Sequence, residues 1–385
     1  MRINPRIEAI PLSRTLALDA RAKALAAAGR QIINMTAGEP DFDSPECARI
    51  AAKRLIDEGE VRYTAAAGRA DLREAIASHL TRSRGVAFEA SGITVCHSAK
   101  HALAGVLISL VHPGDEVLLL RPAWVSYDAQ VRFAGGRPVT VAPRSDMGPD
   151  FDALEAAVGA GTRGLILNSP NNPSGFVATA AELTRLVEFA EAHNLWILSD
   201  EIYSRLVYAG EPFASPVQCG EAGRARTVII DGASKCFAMT GYRIGYVATE
   251  KRLAATVGRL HSQLTGAPNS VSQAALLAAL SEDPPEVAAM QEELDNRRRL
   301  VLTKLAAMGL ETSIPRGAFY VFPSILKVQP NGDSEAFCER LLEEQGLAAV
   351  PGSAFGLDGH IRLSYATSLE KIDAGLDLLA AHIHA

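Results

Sequence analysis

The sequence has little of what several classes of protein require. Its 38 lysines and arginines are outnumbered by 44 aspartates and glutamates, which gives a formal net charge of −6. Such a chain has no global positive field to attract nucleic acid or an anionic membrane. Its longest apolar stretches, such as residues 274–280, are too short to cross a bilayer, and its first residues lack the apolar segment of a secretory signal. We therefore expect a cytoplasmic protein that binds neither nucleic acid nor membrane.

The cysteines are few and scattered. There are five, an odd number, and no two of them form a C-x-x-C pair. This pattern disfavours both a disulfide framework and a structural zinc site, so we expect no bound metal. Most of the thiols are expected to act as small buried hydrophobic groups. The cysteines are Cys47, Cys96, Cys219, Cys236 and Cys338.

Apolar runs are short and regularly spaced in the middle of the chain. The 385 residues are 48% hydrophobic and 21% charged, which is typical of a folded protein of two or three packed units. Between about 92 and 249, β-branched runs such as GITV, DEVLLL, RPVTV and RGLILN alternate with helical patterns, for example at 99–111 and 178–193. This alternation predicts an α/β fold with a mostly parallel sheet covered on both faces.

The two ends of the chain have a different pattern. The region after about 285 has a long charged helix pattern, then short strand candidates (GAFYVF, LAAVPG and HIRLSYA) and a closing helix. This mixture indicates a smaller α+β domain. We expect a large domain over 45–285 and a small domain formed by 1–44 with 286–385. The basic triplet at 297–299 is expected to be a solvated helix face.

Polar residues follow four predicted strands, at the carboxyl ends where open α/β sheets bind ligands. They lie at 98–100, where a helix begins, and at 168–175, 200–203 and 234–235. The free amides of a helix N-terminus can hold a phosphate. Asp200 at a strand end needs a cation or a donor, and Lys235 must be exposed, paired, deprotonated or joined to a carbonyl compound as an imine.

Each of these features alone has a more ordinary explanation, such as a solvated lysine or a capped helix. Together, a phosphate cradle, a carboxylate, a phenol and an imine-forming lysine are the groups that hold pyridoxal phosphate. A literal G-x-G-x-x-G at 159–164 does not favour a dinucleotide instead, because it follows a helical pattern and leads into a strand.

Several segments also carry a family resemblance. They are AGEPDFDSPE (37–46), NSPNNPSG (168–175), SDEIYSRLVY (199–208), SKCFAMTGYRIGY (234–246) and GHIRLSYA (359–366). The chain resembles the pyridoxal-phosphate-dependent class I/II aminotransferases of fold type I, and within them the bacterial aspartate aminotransferase branch, some members of which also act on prephenate. The likeness runs from about Ile10 to the C-terminus, with the motifs in order.

The resemblance implies a role for each residue around the cofactor ring. Lys235 would carry the internal aldimine and then move a proton to and from the substrate α-carbon. Asp200 would pair with the pyridinium nitrogen, Tyr203 and Asn172 would hydrogen-bond the ring 3′-oxygen, and Trp124 would stack on the ring. Lys235, Asp200 and Tyr203 are the expected catalytic residues.

The same resemblance implies how the phosphate is held. The amides of Ala99 and Lys100 and the side chain of Arg243 would bind it. Tyr63 would reach the same phosphate from a second subunit. The expected active unit is therefore a homodimer with shared active sites.

The substrate is implied to be an amino acid paired with a 2-oxo acid. Arg362 would grip the substrate α-carboxylate with help from the amide of Gly38, next to Trp124 and Asn172. Three further residues match positions that bind a distal carboxylate in the aspartate branch, namely Ser13, Thr15 and Lys100. Aspartate or glutamate is thus the expected donor, and 2-oxoglutarate or oxaloacetate the acceptor, with prephenate as a further acceptor.

Four departures from the family pattern leave other reactions open. They lie near the substrate or the phosphate, at Ser174, Tyr242, His101 and Gly232. The alternatives are an aromatic, alanine or arginine donor, or elimination, decarboxylation or oxidation on the same cofactor. A non-catalytic ligand sensor is the alternative from outside enzymes.

Overall fold

The computed structural model describes residues 1–384 apart from residues 4, 9, 11–13, 209 and 211, and it leaves out the side chains of 5, 6, 14–17 and 19. The largest element is a seven-stranded sheet, and five strands of two to four residues lie outside it. The strands are β1 Ile33–Asn34, β2 Ile93–Cys96, β3 Glu116–Leu120, β4 Arg137–Val141, β5 Thr162–Asn168, β6 Trp196–Asp200, β7 Thr227–Gly232, β8 Gly245–Ala248, β9 Tyr320–Val321, β10 Leu347–Ala348, β11 Val350–Pro351 and β12 Ile361–Ser364.

The strand order in the large sheet is β2-β8-β7-β6-β5-β3-β4. The pairs β3/β4, β3/β5, β5/β6 and β6/β7 are parallel, and β8 runs antiparallel to both of its neighbours. The prediction of a mostly parallel sheet is confirmed. Strands such as β2 and β7 are buried along their whole length, because helices cover both faces of the sheet.

Fifteen helices lie among the described residues, and they include the two that we predicted at 99–111 and 178–193. Apolar clusters on the two sides of the sheet join it to these helices. The helices are α1 Pro5–Glu8, α2 Arg14–Ala27, α3 Glu46–Asp57, α4 Ala70–Arg84, α5 Ala99–Leu110, α6 Ser126–Ala134, α7 Phe151–Ala157, α8 Ala180–Ala192, α9 Gly220–Arg226, α10 Ala233–Cys236, α11 Lys251–Leu264, α12 Ser270–Glu282, α13 Pro285–Ala307, α14 Ser334–Arg340 and α15 Leu369–His384.

The C-terminal third builds the smaller α+β unit that the sequence predicts. Strands β11, β12 and β9 form an antiparallel sheet, and β1 pairs in parallel with β10. The G-x-G-x-x-G run lies between the end of α7 and the first residues of β5, so it does not open a helix. The domain boundaries stay a prediction, and we propose to keep them because α13 begins at Pro285.

The basic triplet on α13 corrects one prediction. Arg299 is solvated, but Arg297 and Arg298 are only 7% and 8% exposed. Arg297 bonds Asp41 at 2.6 Å, and Arg298 bonds Asp295. A one-dimensional charge pattern could not reveal this, because the acidic partner at position 41 comes from the other end of the chain.

The directions of the strands bring the motif residues to one edge of the sheet. Strands β2, β5, β6 and β7 all end there, and the antiparallel β8 begins there. The polar residues that follow these strands therefore surround a common space. No helix among the described residues is long and apolar enough to span a membrane.

Candidate active site

A cleft of about 690 Å³ opens at this edge of the sheet. Its walls come from the strand ends, from residues 34–39 near the N-terminus, and from β9 and β12 of the small unit. The cleft therefore combines both parts of the fold. Eight residues that the sequence predicted to act on cofactor ring, phosphate or substrate line it with their side chains, namely Lys100, Trp124, Asn172, Asp200, Tyr203, Lys235, Arg243 and Arg362.

Lys235 lies in the short helix α10, directly after the buried strand β7. Its Nζ donates a hydrogen bond to the carbonyl oxygen of Gly38. Burial lowers the pKa of Lys235 to about 8, an effect that the Glu39 carboxylate opposes and the guanidinium of Arg243 reinforces. An appreciable fraction of this amine is thus neutral near physiological pH, as a nucleophile requires.

Asp200 ends β6 and is 4% exposed. Tyr127 on α6 donates its hydroxyl to Asp200 Oδ2 at 2.7 Å, and the amide of Ile202 donates to Oδ1 at 3.3 Å. Burial raises the pKa of Asp200 to about 6, against the hydrogen bond from Tyr127. No salt bridge among the described residues involves Asp200, so this buried carboxylate faces the cleft without a cation.

The N-terminal turn of α5 points its backbone at the cleft. Ser98 caps the helix, and its Oγ accepts a hydrogen bond from the amide of His101 at 3.3 Å. The amides of Ala99 and Lys100 have no hydrogen-bond partner among the described residues. Two free amides at a helix N-terminus are suited to bind an anion.

Two glycines allow this turn to approach the sheet. A Cβ at Gly245 would lie 2.4 Å from the amide nitrogen of Ala99, and one at Gly232 would lie 2.7 Å from the Cα of Gly245. The backbones of β7, β8 and α5 therefore pack without side chains between them. This contact explains glycine at position 232, where the resembling family often has serine, and Ser234 lines the cleft nearby.

Arg362 on β12 is a buried cation, only 3% exposed. One terminal nitrogen donates to Asn172 Oδ1 at 3.0 Å, and the other donates to the carbonyl oxygen of Thr36 at 2.7 Å. Its Nε is buried without a partner, and no carboxylate among the described residues pairs with it. Burial lowers the pKa of Arg362. The arrangement leaves its charge available to an anionic ligand.

Tyr203 and Tyr320 join the large sheet to the small unit. Their hydroxyl oxygens are 3.0 Å apart, and burial raises both pKa values. The ring of Tyr320 also lies 4.5 Å from the guanidinium carbon of Arg362, which is a cation–π contact. Tyr320 thus holds Tyr203 and Arg362 in fixed relative positions.

Trp124 forms a further wall of the cleft together with Lys100. The Nζ of Lys100 lies 4.8 Å from the centre of the Trp124 ring, and burial lowers the pKa of this lysine, with Arg243 as a second cause. Arg243 itself reaches the cleft and donates to the carbonyl oxygen of Thr240 at 2.7 Å.

One predicted residue lies away from this cleft, and two others fall wholly or partly outside the described part of the chain. Tyr63 is fully exposed, with a relative exposure of 100%, and does not line the cleft. Ser13 lies outside the described residues, and so does the side chain of Thr15. Ala99 and Gly38 do line the cleft.

Sequence reasoning missed Tyr127 and Tyr320. Tyr127 lies three residues after Trp124, and a turn closed by a hydrogen bond from the Tyr127 amide to the Trp124 carbonyl oxygen brings their rings to 5.5 Å between centroids. The short separation from Trp124 was the signal that could have found it. Tyr320 lies in the GAFYVF strand candidate, where nothing local connects it to Tyr203, 117 positions earlier.

The comparisons with known proteins agree on one family. Residues 30–379 match the family model of aminotransferase class I and II. The chain is 41% identical to an aspartate aminotransferase of Thermotoga maritima over 377 residues, which cover 97% of each protein. It is 42% identical to an aspartate/prephenate aminotransferase of Cereibacter sphaeroides over 94% of this chain and 93% of that one.

Solved structures are similar over the whole length. The structure of aspartate aminotransferase from Thermus thermophilus with maleate matches at a TM-score of 0.95 and 39% identity, covering 99% of this chain and 100% of that chain. The aspartate aminotransferase of Thermotoga maritima matches at 0.94. The predicted α/β fold of type I is confirmed.

Proposed function

Because the chain belongs to the aminotransferase class I and II family, we propose that it binds pyridoxal 5′-phosphate in this cleft and moves the amino group of a dicarboxylic L-amino acid to a 2-oxo acid. Transfer between an amino acid and a 2-oxo acid is the activity of the family. The cofactor site, the residue roles, the substrate and the assembly are our proposals. The observation that carries them is the convergence of Lys235, Asp200, Arg243 and Arg362 on one cleft.

The side chains present fit the cofactor. Asp200 is a buried carboxylate without a cation, which suits a pyridinium nitrogen. The free amides of residues 99 and 100 and the cation of Arg243 suit a phosphate, and a side chain at Gly245 would disturb that cradle. Trp124 and Lys235 lie on the same cleft, available to stack on the ring and to attach the cofactor through the amine.

When bound, pyridoxal phosphate supplies an electron sink for the substrate α-carbon. The chain's own residues orient the reacting groups and transfer the protons. Lys235 would hold the cofactor through its Nζ, and the same Nζ, when free, would accept the proton of the substrate α-carbon and donate it again. Its lowered pKa suits both tasks, because a single group that acts as base and then as acid works best when its pKa lies near the operating pH.

The remaining residues fix the charges around that proton transfer. Asp200 stays ionised at pH 7, since its pKa is about 6, and the hydroxyl of Tyr127 orients it. Tyr203 and Asn172 would donate hydrogen bonds to the 3′-oxygen of the ring. Within the chain, the hydroxyl of Tyr203 contacts that of Tyr320, and Asn172 Oδ1 accepts a hydrogen bond from Arg362, so both side chains are held in place.

Arg362 is proposed to bind the substrate α-carboxylate through its planar guanidinium, with the amide of Gly38 alongside. Lys100 is proposed to bind the distal carboxylate, together with Ser13 and Thr15. Two relatives support a dicarboxylate: one is named aspartate aminotransferase, and the Thermus enzyme has a structure with maleate, a four-carbon dicarboxylate. A relative named for prephenate makes that compound a further candidate acceptor.

We propose that the active unit is a homodimer in which Tyr63 of one chain binds the phosphate held by the other. The support is its complete exposure in the single chain together with its absence from the cleft of its own chain. A large aromatic side chain that is fully exposed is suited to a partner surface.

The first test replaces Lys235 by alanine. Loss of the amine should lower the rate of the half-reaction with amino acids by about 10²–10⁴-fold or more, and the visible absorbance of the lysine-linked cofactor should disappear. The exposed Lys53→Ala variant is the matched control and should keep both. A coloured and active Lys235→Ala protein would refute the proposed role.

The second test is a panel of donors and acceptors. Aspartate, glutamate, alanine and aromatic amino acids are assayed against 2-oxoglutarate, oxaloacetate and prephenate. Lys100→Met should lower kcat/KM for aspartate by about 10-fold or more through loss of a charged hydrogen bond, and leave alanine nearly unchanged. If aspartate and glutamate were inert while other donors reacted, the dicarboxylate assignment would be rejected, and the proposal of an aminotransferase would stand.

A further inference from the structure

A cysteine and three histidines lie together beside the first turn of α5. Cys96 ends β2, His97 follows it, His101 lies in the first turn of α5, and His261 lies near the end of α11. The sulfur of Cys96 and one ring nitrogen each of His101 and His261 all lie within 4.8 Å of one another. The rings of His101 and His261 are stacked, with centroids 4.2 Å apart and planes inclined by 23°.

Four ring nitrogens of this cluster lack partners, whereas His101 Nδ1 accepts a hydrogen bond from the amide of His97 at 3.4 Å. His261 is 1% exposed, and neither its Nδ1 nor its Nε2 has a hydrogen bond; the Nε2 atoms of His101 and His97 are also buried and unpaired. A buried polar atom without a hydrogen bond destabilises the fold, so several in one cluster are unusual in a native protein. A cluster of unpaired imidazole nitrogens indicates a bound metal ion, which accepts lone pairs from several nitrogens at once.

The neighbouring helix leaves room for one of these rings. A Cβ at Gly105, inside α5, would lie 2.9 Å from His261 Nε2. Glycine within a helix is less favourable than alanine. Here the missing side chain gives the imidazole its space between α5 and α11.

We propose that Cys96, His101 and His261 bind one zinc ion, with a water molecule as the fourth ligand. One thiolate and two imidazoles are a ligand set that Zn²⁺ prefers, and its tetrahedral geometry takes three protein ligands plus water. On binding, the Cys96 thiol releases its proton to solvent and gives up its contact with the carbonyl oxygen of Thr94.

Loading requires a small rearrangement. Bond lengths of about 2.3 Å to sulfur and about 2.0–2.1 Å to nitrogen place ligand atoms roughly 3.5 Å apart, so the cluster must contract by about 1 Å. The two stacked rings must also separate, because the ion lies in the plane of each imidazole that binds it.

The ion would connect three elements of the large domain, and one of them, α5, lines the cofactor cleft with its first residues. The ligands come from the end of β2, the start of α5 and the far end of α11, and residues 98–100 between the first two line the cleft. A bound ion would therefore stabilise the phosphate cradle and take no part in the chemistry. This site departs from our expectation of no metal, which rested on spacing along the chain.

The test measures bound metal directly. Holoenzyme freed of metal with a chelator is dialysed against Zn²⁺ and analysed for its zinc content, and Co²⁺ is used to detect tetrahedral coordination by its visible absorption. One ion per chain is expected. Cys96→Ser and His101→Gln should each weaken zinc binding on the order of 100-fold or more. Losing a residue that only hydrogen-bonds a metal ligand weakens binding by about 10–100-fold, and losing a ligand itself should cost at least as much.

Matched controls separate this site from other thiols and histidines. Cys338→Ser removes an equally buried thiol elsewhere, and His193→Asn removes a partly exposed imidazole; both should still bind one ion. His101→Gln is suited to keep the fold, because glutamine is frequent there in the resembling family. Absence of stoichiometric zinc in the wild-type protein, or unchanged binding in both Cys96→Ser and His101→Gln, would overturn the proposal.

Discussion

At the scale of single residues, burial moves the pKa values of two ionisable groups in the cleft toward neutral pH. The pKa of Asp200 rises to about 6 and that of Lys235 falls to about 8, because removal from water disfavours the charged form of both. The usual difference of more than six units between an aspartate and a lysine thus shrinks to about two. Lys235 can then gain and lose a proton near physiological pH, while Asp200 stays ionised at pH 7.

The charge of Glu39 provides a test of this electrostatic balance. Its carboxylate raises the pKa of Lys235, so Glu39→Gln should lower that pKa further and increase the neutral fraction of the amine at pH 7. The pH profile for cofactor uptake by the apoenzyme, which needs the neutral amine, should shift to lower pH. Glutamine can still accept the hydrogen bond from Thr240.

The surface variant Glu221→Gln is the control for this measurement and should leave the profile in place. A profile for Glu39→Gln that stays where it is, or that moves to higher pH, would contradict the assigned electrostatic effect.

At the scale of elements, the phosphate cradle depends on how closely helix α5 meets strands β7 and β8. Gly245 faces Cys96 across one strand pair and Gly232 across the other. A Cβ at Gly245 would enter the space of Ala99 and Ser98. The geometry of the helix N-terminus therefore follows from the absence of side chains on the neighbouring strand.

Gly245→Ala should displace the N-terminal turn of α5 and loosen the cofactor. Losing one or two hydrogen bonds to a charged phosphate corresponds to about 1.5–3 kcal/mol, or roughly 10–150-fold in affinity. Dissociation of pyridoxal phosphate measured by dialysis gives this value. Gly241→Ala, whose Cβ would meet no atom within 4 Å, is the matched control. Equal affinities in the two variants would argue against this account of the cradle.

At the scale of the whole molecule, the proposed site is incomplete without a second copy. The described chain presents Tyr63 to solvent, while the cleft offers the amides and Arg243 for the phosphate. Symmetric homo-oligomers commonly share sites across a twofold interface. The two halves of the phosphate site would then come from different chains.

Hybrid dimers test this sharing. In a hybrid of Lys235→Ala with Tyr63→Ala chains, one site carries both defects and the other carries none. An equal mixture that assembles at random should therefore regain about one quarter of the wild-type activity. Hybrids of Lys235→Ala with Asp200→Ala should regain none, since those two residues lie on the same cleft of one chain. Equal behaviour of the two mixtures would reject the shared site.

The local patterns of the sequence were a reliable guide to the elements and to many of the cleft residues. The apolar runs became the seven strands of the sheet, and the polar residues after them converged because parallel strands end at one edge. The burial of Arg297 and Arg298 was mispredicted, because a helix face is assigned from its own pattern and not from what packs against it.

The sequence by itself determined the α/β alternation, the family, and the side chains of Lys235, Asp200 and Arg362 as candidates. Only the tertiary structure decided which groups surround them: Tyr127 on Asp200, Tyr320 between Tyr203 and Arg362, and the cluster at positions 96, 101 and 261. The physical reason is that periodicity and strand ends are encoded by neighbouring residues. Hydrogen-bond partners and burial depend on segments that meet only when the chain packs.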